Sequence, residues 1–206
     1  MFNAYPLNFP RLSESLTNTI LTFARECELT MGFDPESDFD SADKIKGTEY
    51  HAATNTNKGD YRGFLIPEDI QLLIKQEINN SLIKDIVFYL QIMKSRNADD
   101  PNFRLAPHID PRRNAGFIYN FVEDTATTHF HNSLVDTSGR WGFNLEEISE
   151  PIETYQYKPH TWYMMNNSAI HSVTNLTKTR IAITTSLDWS TYAGFCDLFS
   201  SVLIRD

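Results

Sequence analysis

The chain has 206 residues, 41% of them hydrophobic and 22% charged, which is typical of one globular domain and excludes wholesale disorder. Its net charge of −9 argues against general nucleic-acid binding through phosphate contacts. The sequence shows neither a long apolar run nor a basic, apolar leader, so we expect a cytoplasmic protein without membrane contact. Cys27 and Cys196 lie far apart among apolar residues, which predicts buried thiols rather than a disulfide framework.

The first segment, residues 1–81, is predicted to hold two supporting helices joined by a polar loop. A helix is expected over residues 10–27, where apolar residues recur at helical spacing: Leu12, Leu16, Ile20, Phe23 and Cys27. A second helix is expected over residues 67–79, with Pro67 in its first turn. Its buried stripe is predicted to be Ile70, Leu73, Ile74 and Ile78.

Residues 33–63 form the polar, acidic stretch between these helices. A calcium-binding EF-hand loop requires Gly at its sixth position and Glu at its twelfth. Counted from Asp34, those positions hold Phe39 and Ile45, which excludes that pattern. We therefore interpret the stretch as a mobile loop near the mouth of a site.

The second segment, residues 82–190, changes to the pattern of short strands separated by turn residues, before a C-terminal segment at 191–206. Runs of β-branched and aromatic residues of this kind predict a mainly β sandwich or barrel with flanking helices. Strands are expected over residues 85–93, 103–106, 115–122, 127–131, 162–165, 171–173 and 179–187, with turns at 138–139 and 166–168.

His108 and Asp110 lie where one predicted strand ends, before the next begins. Residues two apart in extended backbone point to the same side, so both side chains are able to reach one ion. A lone His-x-Asp pair also arises easily by chance, with the histidine structural and the aspartate a turn former.

Two later residues favour the metal interpretation. His171 lies at a turn-to-strand junction, and Arg180 follows nine residues later on a predicted strand, where its guanidinium group is able to pair with a carboxylate. Two histidines and one carboxylate are the ligand set of non-haem Fe(II) sites with open coordination positions. His129 and His131 form a rival pair, but no carboxylate accompanies them, so a surface or cavity-lining role is favoured.

In this order the motifs resemble the Fe(II)/2-oxoglutarate-dependent dioxygenase superfamily, especially its prolyl-hydroxylase-like branch of phage and marine-bacterial type. The resemblance covers about residues 84–188, roughly half of the chain. It is carried by residues 107–113, 118–121, 127–130 and 168–183. It implies a double-stranded β-helix, the cupin-like jelly-roll core of that superfamily, with N-terminal supporting helices.

The resemblance also implies the roles of the site residues. Fe(II) would be held by His108, Asp110 and His171, while Arg180 would bind the far carboxylate of 2-oxoglutarate. Asn120 and Thr128 are the candidates for a further polar side chain beside that carboxylate. The sequence departs from the plant-type pattern, which has Ser two residues after the arginine, because Ala182 stands there.

The implied reaction uses O2 and converts 2-oxoglutarate to succinate while a substrate is oxidised. Related halogenases lack the carboxylate ligand, so Asp110 favours hydroxylation over halogenation. A free amino acid or another small polar molecule is the first expectation for the substrate, followed by a protein side chain and then a nucleobase. Arg112 and Arg113 are candidate substrate-binding residues, unless they are solvated surface residues.

Two other functions remain open from the sequence. The chain is a non-enzymatic jelly-roll binding or sensor module if its site is degenerate. It is a cupin-type metalloenzyme without a cosubstrate if Arg180 is dispensable.

Overall fold

The computed structural model describes residues 2–30, 61–93, 105–110, 113–123, 126–140 and 142–205. Within these ranges the chain forms three α-helices and ten β-strands. The helices are α1 (Glu14–Thr30), α2 (Glu68–Ile78) and α3 (Tyr192–Leu198). The strands are β1 (Ala4–Leu7), β2 (Tyr61–Leu65), β3 (Phe88–Met93), β4 (Leu105–His108), β5 (Gly116–Asn120), β6 (Thr127–His131), β7 (Glu153–Tyr155), β8 (Trp162–Met165), β9 (Ile170–Thr174) and β10 (Arg180–Thr185).

Both predicted N-terminal helices are present. Pro67 directly precedes α2, and the helix ends at Asn79, whose left-handed backbone lets its N–H donate to the Lys75 carbonyl. The prediction that Leu73 is buried is wrong, because its side chain is 44% exposed. Ile70, Ile74 and Ile78 form the buried stripe, and Leu73 lies about 100° around the helix axis from its middle. Of the helices described, none is long and apolar enough to cross a membrane.

The strands form two antiparallel sheets. The six-stranded main sheet has the order β1-β8-β5-β10-β3-β2, and the four-stranded second sheet has the order β4-β9-β6-β7. From β3 to β10 the chain passes back and forth between the two sheets, so that each sheet holds four strands of one jelly-roll core. The predicted mainly β, double-stranded β-helix core is confirmed.

The edge strands of the main sheet are not predicted from the sequence. β1 pairs with β8, and β2 pairs with β3. Residues 61–63, at the end of the predicted polar loop, belong to β2, so the loop prediction is wrong there. The acidic part of that loop lies outside the described residues.

The two faces of the main sheet have different neighbours. Phe117, Tyr119 and Phe121 of the β5 region pack with the helices in the larger apolar core. Ile118 packs instead with Ala182 and with Phe130 of the second sheet. Because side chains alternate along a strand, Asn120 shares the inner face with Ile118, and Arg180 shares it with Ala182.

The C-terminal segment forms α3, which packs on the same core as the other helices through Tyr192, Phe195 and Cys196. Cys27 of α1 is buried in that core as well. Both thiols are buried, as the sequence predicts.

Candidate metal centre

Two neighbouring strands of the second sheet bring three metal-binding side chains together. His108 is the last residue of β4, and it pairs directly with His171 of β9. Asp110 follows two residues after His108. One ligand atom from each of the three side chains lies within 4.8 Å of the others. The predicted residues therefore form a group with the dimensions of a metal site.

Backbone carbonyl groups orient both imidazole rings. The Nδ1 atom of His108 lies 2.7 Å from the Ala106 carbonyl oxygen, and that of His171 lies 3.0 Å from the Ala169 carbonyl oxygen. An Nδ1–H group that donates to a carbonyl leaves Nε2 with its lone pair for a metal ion. The ring centroids of the two histidines are 4.3 Å apart, so both Nε2 atoms reach the same small space.

Asp110 is held from the side opposite the histidines. Its Oδ1 atom lies 3.6 Å from Nε2 of His108. Its Oδ2 atom accepts a hydrogen bond of 2.7 Å from Nδ2 of Asn167 and lies 3.9 Å from a guanidinium nitrogen of Arg113. The two carboxylate oxygens therefore have different neighbours.

Burial and mutual charge set the protonation of the three ligands. Burial lowers the pKa of His108, but its hydrogen bond to Asp110 and the charge of that carboxylate outweigh burial and raise it. Burial raises the pKa of Asp110, yet the hydrogen bond from His108 and the charges of His171 and His108 hold it well below its ordinary value. Burial and the charge of His108 lower the pKa of His171 to about 4. Charged Asp110 and neutral His171 have the protonation states that metal binding requires, and His108 would bind a metal ion in its neutral form.

The donor atoms fit a non-haem iron site. Two imidazole nitrogens and one carboxylate oxygen form the facial set that leaves coordination positions open for other ligands. His171 is buried, whereas the side chains of His108 and Asp110 are 15% and 23% exposed. The group is therefore partly accessible to solvent.

A buried cation lies between the sheets. Arg180 begins β10, is 2% exposed and faces the interior. The Tyr157 hydroxyl donates to Sδ of Met165 at 3.9 Å. Burial raises the pKa of Tyr157 to about 12, while the charge of Arg180 and the nearby Thr128 hydroxyl act in the opposite direction. Thr128 pairs with Val173, two residues and about 7 Å along β9 from His171. Thr128 is therefore offset along the sheet from the metal-binding group.

Amide side chains occupy one row of the main sheet. Ala182 pairs with Asn120 of β5 on one side and with Gln91 of β3 on the other. Among the described residues, both amide atoms of Asn120 and Oε1 of Gln91 are buried without a hydrogen-bond partner. Buried polar atoms usually have partners, so this row is suited to a polar ligand that supplies them.

The other residues singled out from the sequence do not belong to the metal-binding group. Arg113 lies beside Asp110, while Arg112 lies outside the described residues. His129 and His131 lie on the outer face of the second sheet, where their Nε2 atoms are bonded to the hydroxyl groups of Thr174 and Ser172. These two histidines are separate from the metal-binding group.

The sequence interpretation missed three polar residues around the site: Asn167, Tyr157 and Gln91. Asn167 was assigned only to a turn, and its contact with Asp110 joins residues 57 positions apart. A signal was present for Gln91, because a lone amide in an otherwise apolar and aromatic strand points to a polar neighbour. Tyr157 precedes β8 in irregular backbone and carries no comparable signal.

No protein-family profile and no curated protein sequence matches this chain. A putative oxygenase from Shewanella oneidensis is similar in structure, with TM-score 0.47 and 12% identity over 90% of this chain and 81% of that one. An oxidoreductase of the 2OG-Fe(II) oxygenase family from Burkholderia pseudomallei has TM-score 0.41 and 10% identity, over 68% and 71%. Fe(II)-HppE with the alternative substrate (S)-1-HPP has TM-score 0.39 and 9% identity, over 70% of this chain and 58% of that one.

The structural neighbours include members of the superfamily that the sequence resembles. This chain spans less than two thirds of the length of HppE. At these identities and TM-scores the likeness assigns no role to this chain, and the assignment of the site depends on the residues described above.

Proposed function

We propose that this protein is an Fe(II)- and 2-oxoglutarate-dependent oxygenase that hydroxylates a small polar substrate such as a free amino acid. The observation that carries the proposal is the grouping of His108, Asp110 and His171, whose ligand atoms lie within 4.8 Å of one another, in a jelly roll that also buries Arg180. A metal site alone would serve many reactions. A metal site in the same barrel as a buried cation suits a cosubstrate with an oxo acid at one end and a carboxylate at the other.

The site residues would have separate roles in binding the metal and the cosubstrate. His108, Asp110 and His171 would hold Fe(II), and Arg180 would bind the far carboxylate of 2-oxoglutarate by charge-assisted hydrogen bonds. Asn120 and Thr128 flank that position with amide and hydroxyl groups. The polar atoms of Asn120 would gain partners when the cosubstrate binds, which removes the cost of leaving them buried and unpaired.

With O2, the bound Fe(II) and 2-oxoglutarate supply oxidising chemistry that yields succinate, carbon dioxide and a hydroxylated substrate. The protein provides orientation and excludes water. Phe130 is fully buried on the inner face of β6 and lies beside His171, with ring centroids 6.0 Å apart. Apolar side chains such as Phe130 would keep bulk water away from the reacting groups while Arg180 binds the cosubstrate.

A small polar substrate is supported by the arginine beside the metal-binding group. Arg113 lies next to Asp110 and its side chain is 13% exposed, so it retains some contact with solvent. The neighbouring Arg112 is the second candidate for binding a substrate carboxylate. An oxygenase acting on a protein side chain is the alternative enzyme, and a binding module without turnover is the alternative function.

The test is anaerobic addition of Fe(II) and 2-oxoglutarate, followed by screening of amino acids for succinate release in air. We expect a weak visible charge-transfer band that is lost in His108→Ala and His171→Ala. His129→Ala is the matched control, because His129 lies on the outer face of the same sheet and should leave the band unchanged.

The outcomes separate the candidate functions. Succinate release that rises with one amino acid supports the proposal. Release that rises only with peptides or proteins favours a side-chain oxygenase. A band without any succinate, even from slow uncoupled turnover, favours a binding module, and the absence of both band and metal binding contradicts the proposal.

A further inference from the structure

Asn167, in the turn between β8 and β9, contacts the carboxylate of Asp110 without itself belonging to the metal-binding group. We propose that Asn167 is a positioning residue that makes Asp110 bind the metal through one oxygen only. The inference rests on the proposed function, because it assumes that Asp110 is a metal ligand. It assigns to Asn167 the role of keeping a coordination position free.

The backbone fixes the two residues relative to each other. The Asp110 N–H group donates to the Asn167 carbonyl oxygen at 3.1 Å. The preceding residue, Asn166, is tied to Asn3 by a backbone and a side-chain hydrogen bond, each of 2.8 Å. Asn167 is 3% exposed, so its side chain cannot turn toward solvent.

The side chain of Asn167 then distinguishes the two carboxylate oxygens. Its Nδ2 atom donates to Oδ2 of Asp110 at 2.7 Å, and Arg113 lies 3.9 Å from the same oxygen. Oδ1 is left on the side of His108, 3.6 Å from Nε2. An oxygen that already accepts an amide hydrogen bond and faces a guanidinium group is poorly available to a metal ion. Oδ1 is therefore the ligand atom, and Oδ2 is withheld.

Binding of Asp110 through one oxygen affects how many coordination positions of the metal stay open. A carboxylate that binds through both oxygens occupies two coordination positions, and one that binds through a single oxygen occupies one. A facial site depends on open positions for its other ligands. By holding Oδ2, Asn167 prevents Asp110 from closing one of them.

Gly116 in β5 provides the space that this arrangement needs. A Cβ atom at position 116 would lie 3.2 Å from both Nδ2 and Oδ1 of Asn167 and 2.9 Å from the Thr185 carbonyl oxygen. Contacts this short require the backbone or the Asn167 amide to move. Gly116→Ala is therefore a second way to displace Asn167, without changing any polar group.

The test measures Co(II) binding to the full chain, both its affinity and its visible spectrum. Outer hydrogen-bond partners of metal ligands typically contribute about 10- to 100-fold in metal affinity. We expect losses of about that size for Asn167→Ala and Gly116→Ala, and a larger loss for Asn167→Asp, which places a second negative charge against Oδ2. Ser168→Ala, in the same turn but exposed, is the matched control and should bind like the parent protein.

The spectrum provides the readout that loosening of the fold alone would not change. Release of Oδ2 lets a second carboxylate oxygen take an open position of Co(II), which changes its ligand set and shifts its visible bands. Circular dichroism identifies the variants that remain folded, and Asn167→Ser replaces any that do not.

The failure of the two proposals can be distinguished. If the parent protein binds no Co(II), or binds it without His108 and His171, the proposed function is wrong. If it binds Co(II) through that group, but the folded Asn167 variants keep both the affinity and the spectrum, the role of Asn167 is wrong and the proposed function stands.

Discussion

Replacing Arg180 with Met separates binding of the cosubstrate from binding of the metal. Arg180 is 2% exposed, so its guanidinium group is shielded from bulk water. Met preserves much of the apolar stem and removes only the cation. We expect 2-oxoglutarate to lose its anchor while His108, Asp110 and His171 continue to bind the metal.

The magnitude follows from the burial of Arg180. Truncating one partner of a buried, hydrogen-bonded charge pair costs about 2–5 kcal/mol. At about 1.4 kcal/mol per tenfold change, the dissociation constant of 2-oxoglutarate should rise by about 30-fold to several thousandfold. Arg180→Lys should fall between the parent and Arg180→Met, because Lys keeps the charge but not the planar pair of donors.

Calorimetric titration of the Mn(II)-loaded protein provides the assay, with 2-oxobutyrate as a second ligand because it lacks the far carboxylate. Only 2-oxoglutarate should lose affinity in Arg180→Met. Arg140→Met is the matched control, since Arg140 is 37% exposed and pairs with Glu147 instead. Equal losses for the two ligands, or none for 2-oxoglutarate, would refute the assignment of Arg180 as the carboxylate anchor.

Three further predictions concern stability. Ile74→Ala should lower the free energy of unfolding in urea by about 2–5 kcal/mol, because Ile74 is fully buried, whereas Leu73→Ala on the same helix should change it by less than about 1 kcal/mol. Mn(II) at one hundred times its dissociation constant should stabilise the parent protein by about 2.7 kcal/mol in the same assay, and should not stabilise His171→Ala. Gly139→Ala should cost about 1–2 kcal/mol, because position 139 has a φ of 68° with free space around it; an unchanged midpoint would contradict this.

The elements predicted well from the sequence are those whose local pattern agrees with their environment. β6 occupies residues 127–131 as predicted. Its side chains alternate between the two faces of the sheet, and the different surroundings of the two faces hold the strand in this register. β1 and β2 were missed because edge strands gain their order from the strand beside them. β1 even contains Pro6, which an edge strand tolerates and which locally argues against a strand.

The candidate site divides in the same way. His108 and Asp110 are two residues apart, so their shared direction follows from extended backbone alone. His171 and Arg180 were expected nearby from residue type and order. The contacts of Asp110 with Asn167 and of Tyr157 with Thr128 join residues whose proximity depends on how the strands pair and turn. Local patterns carry no information about such pairs.

The sequence by itself determined the ligand chemistry, the strand-rich second half and the two amphipathic helices, because residue type and short-range periodicity encode them. Only the tertiary structure decided which oxygen of Asp110 faces the histidines, that His129 and His131 point away from them, and that Arg180 is buried. Those features depend on the register between strands distant in sequence, where a shift of one residue would turn each side chain to the other face.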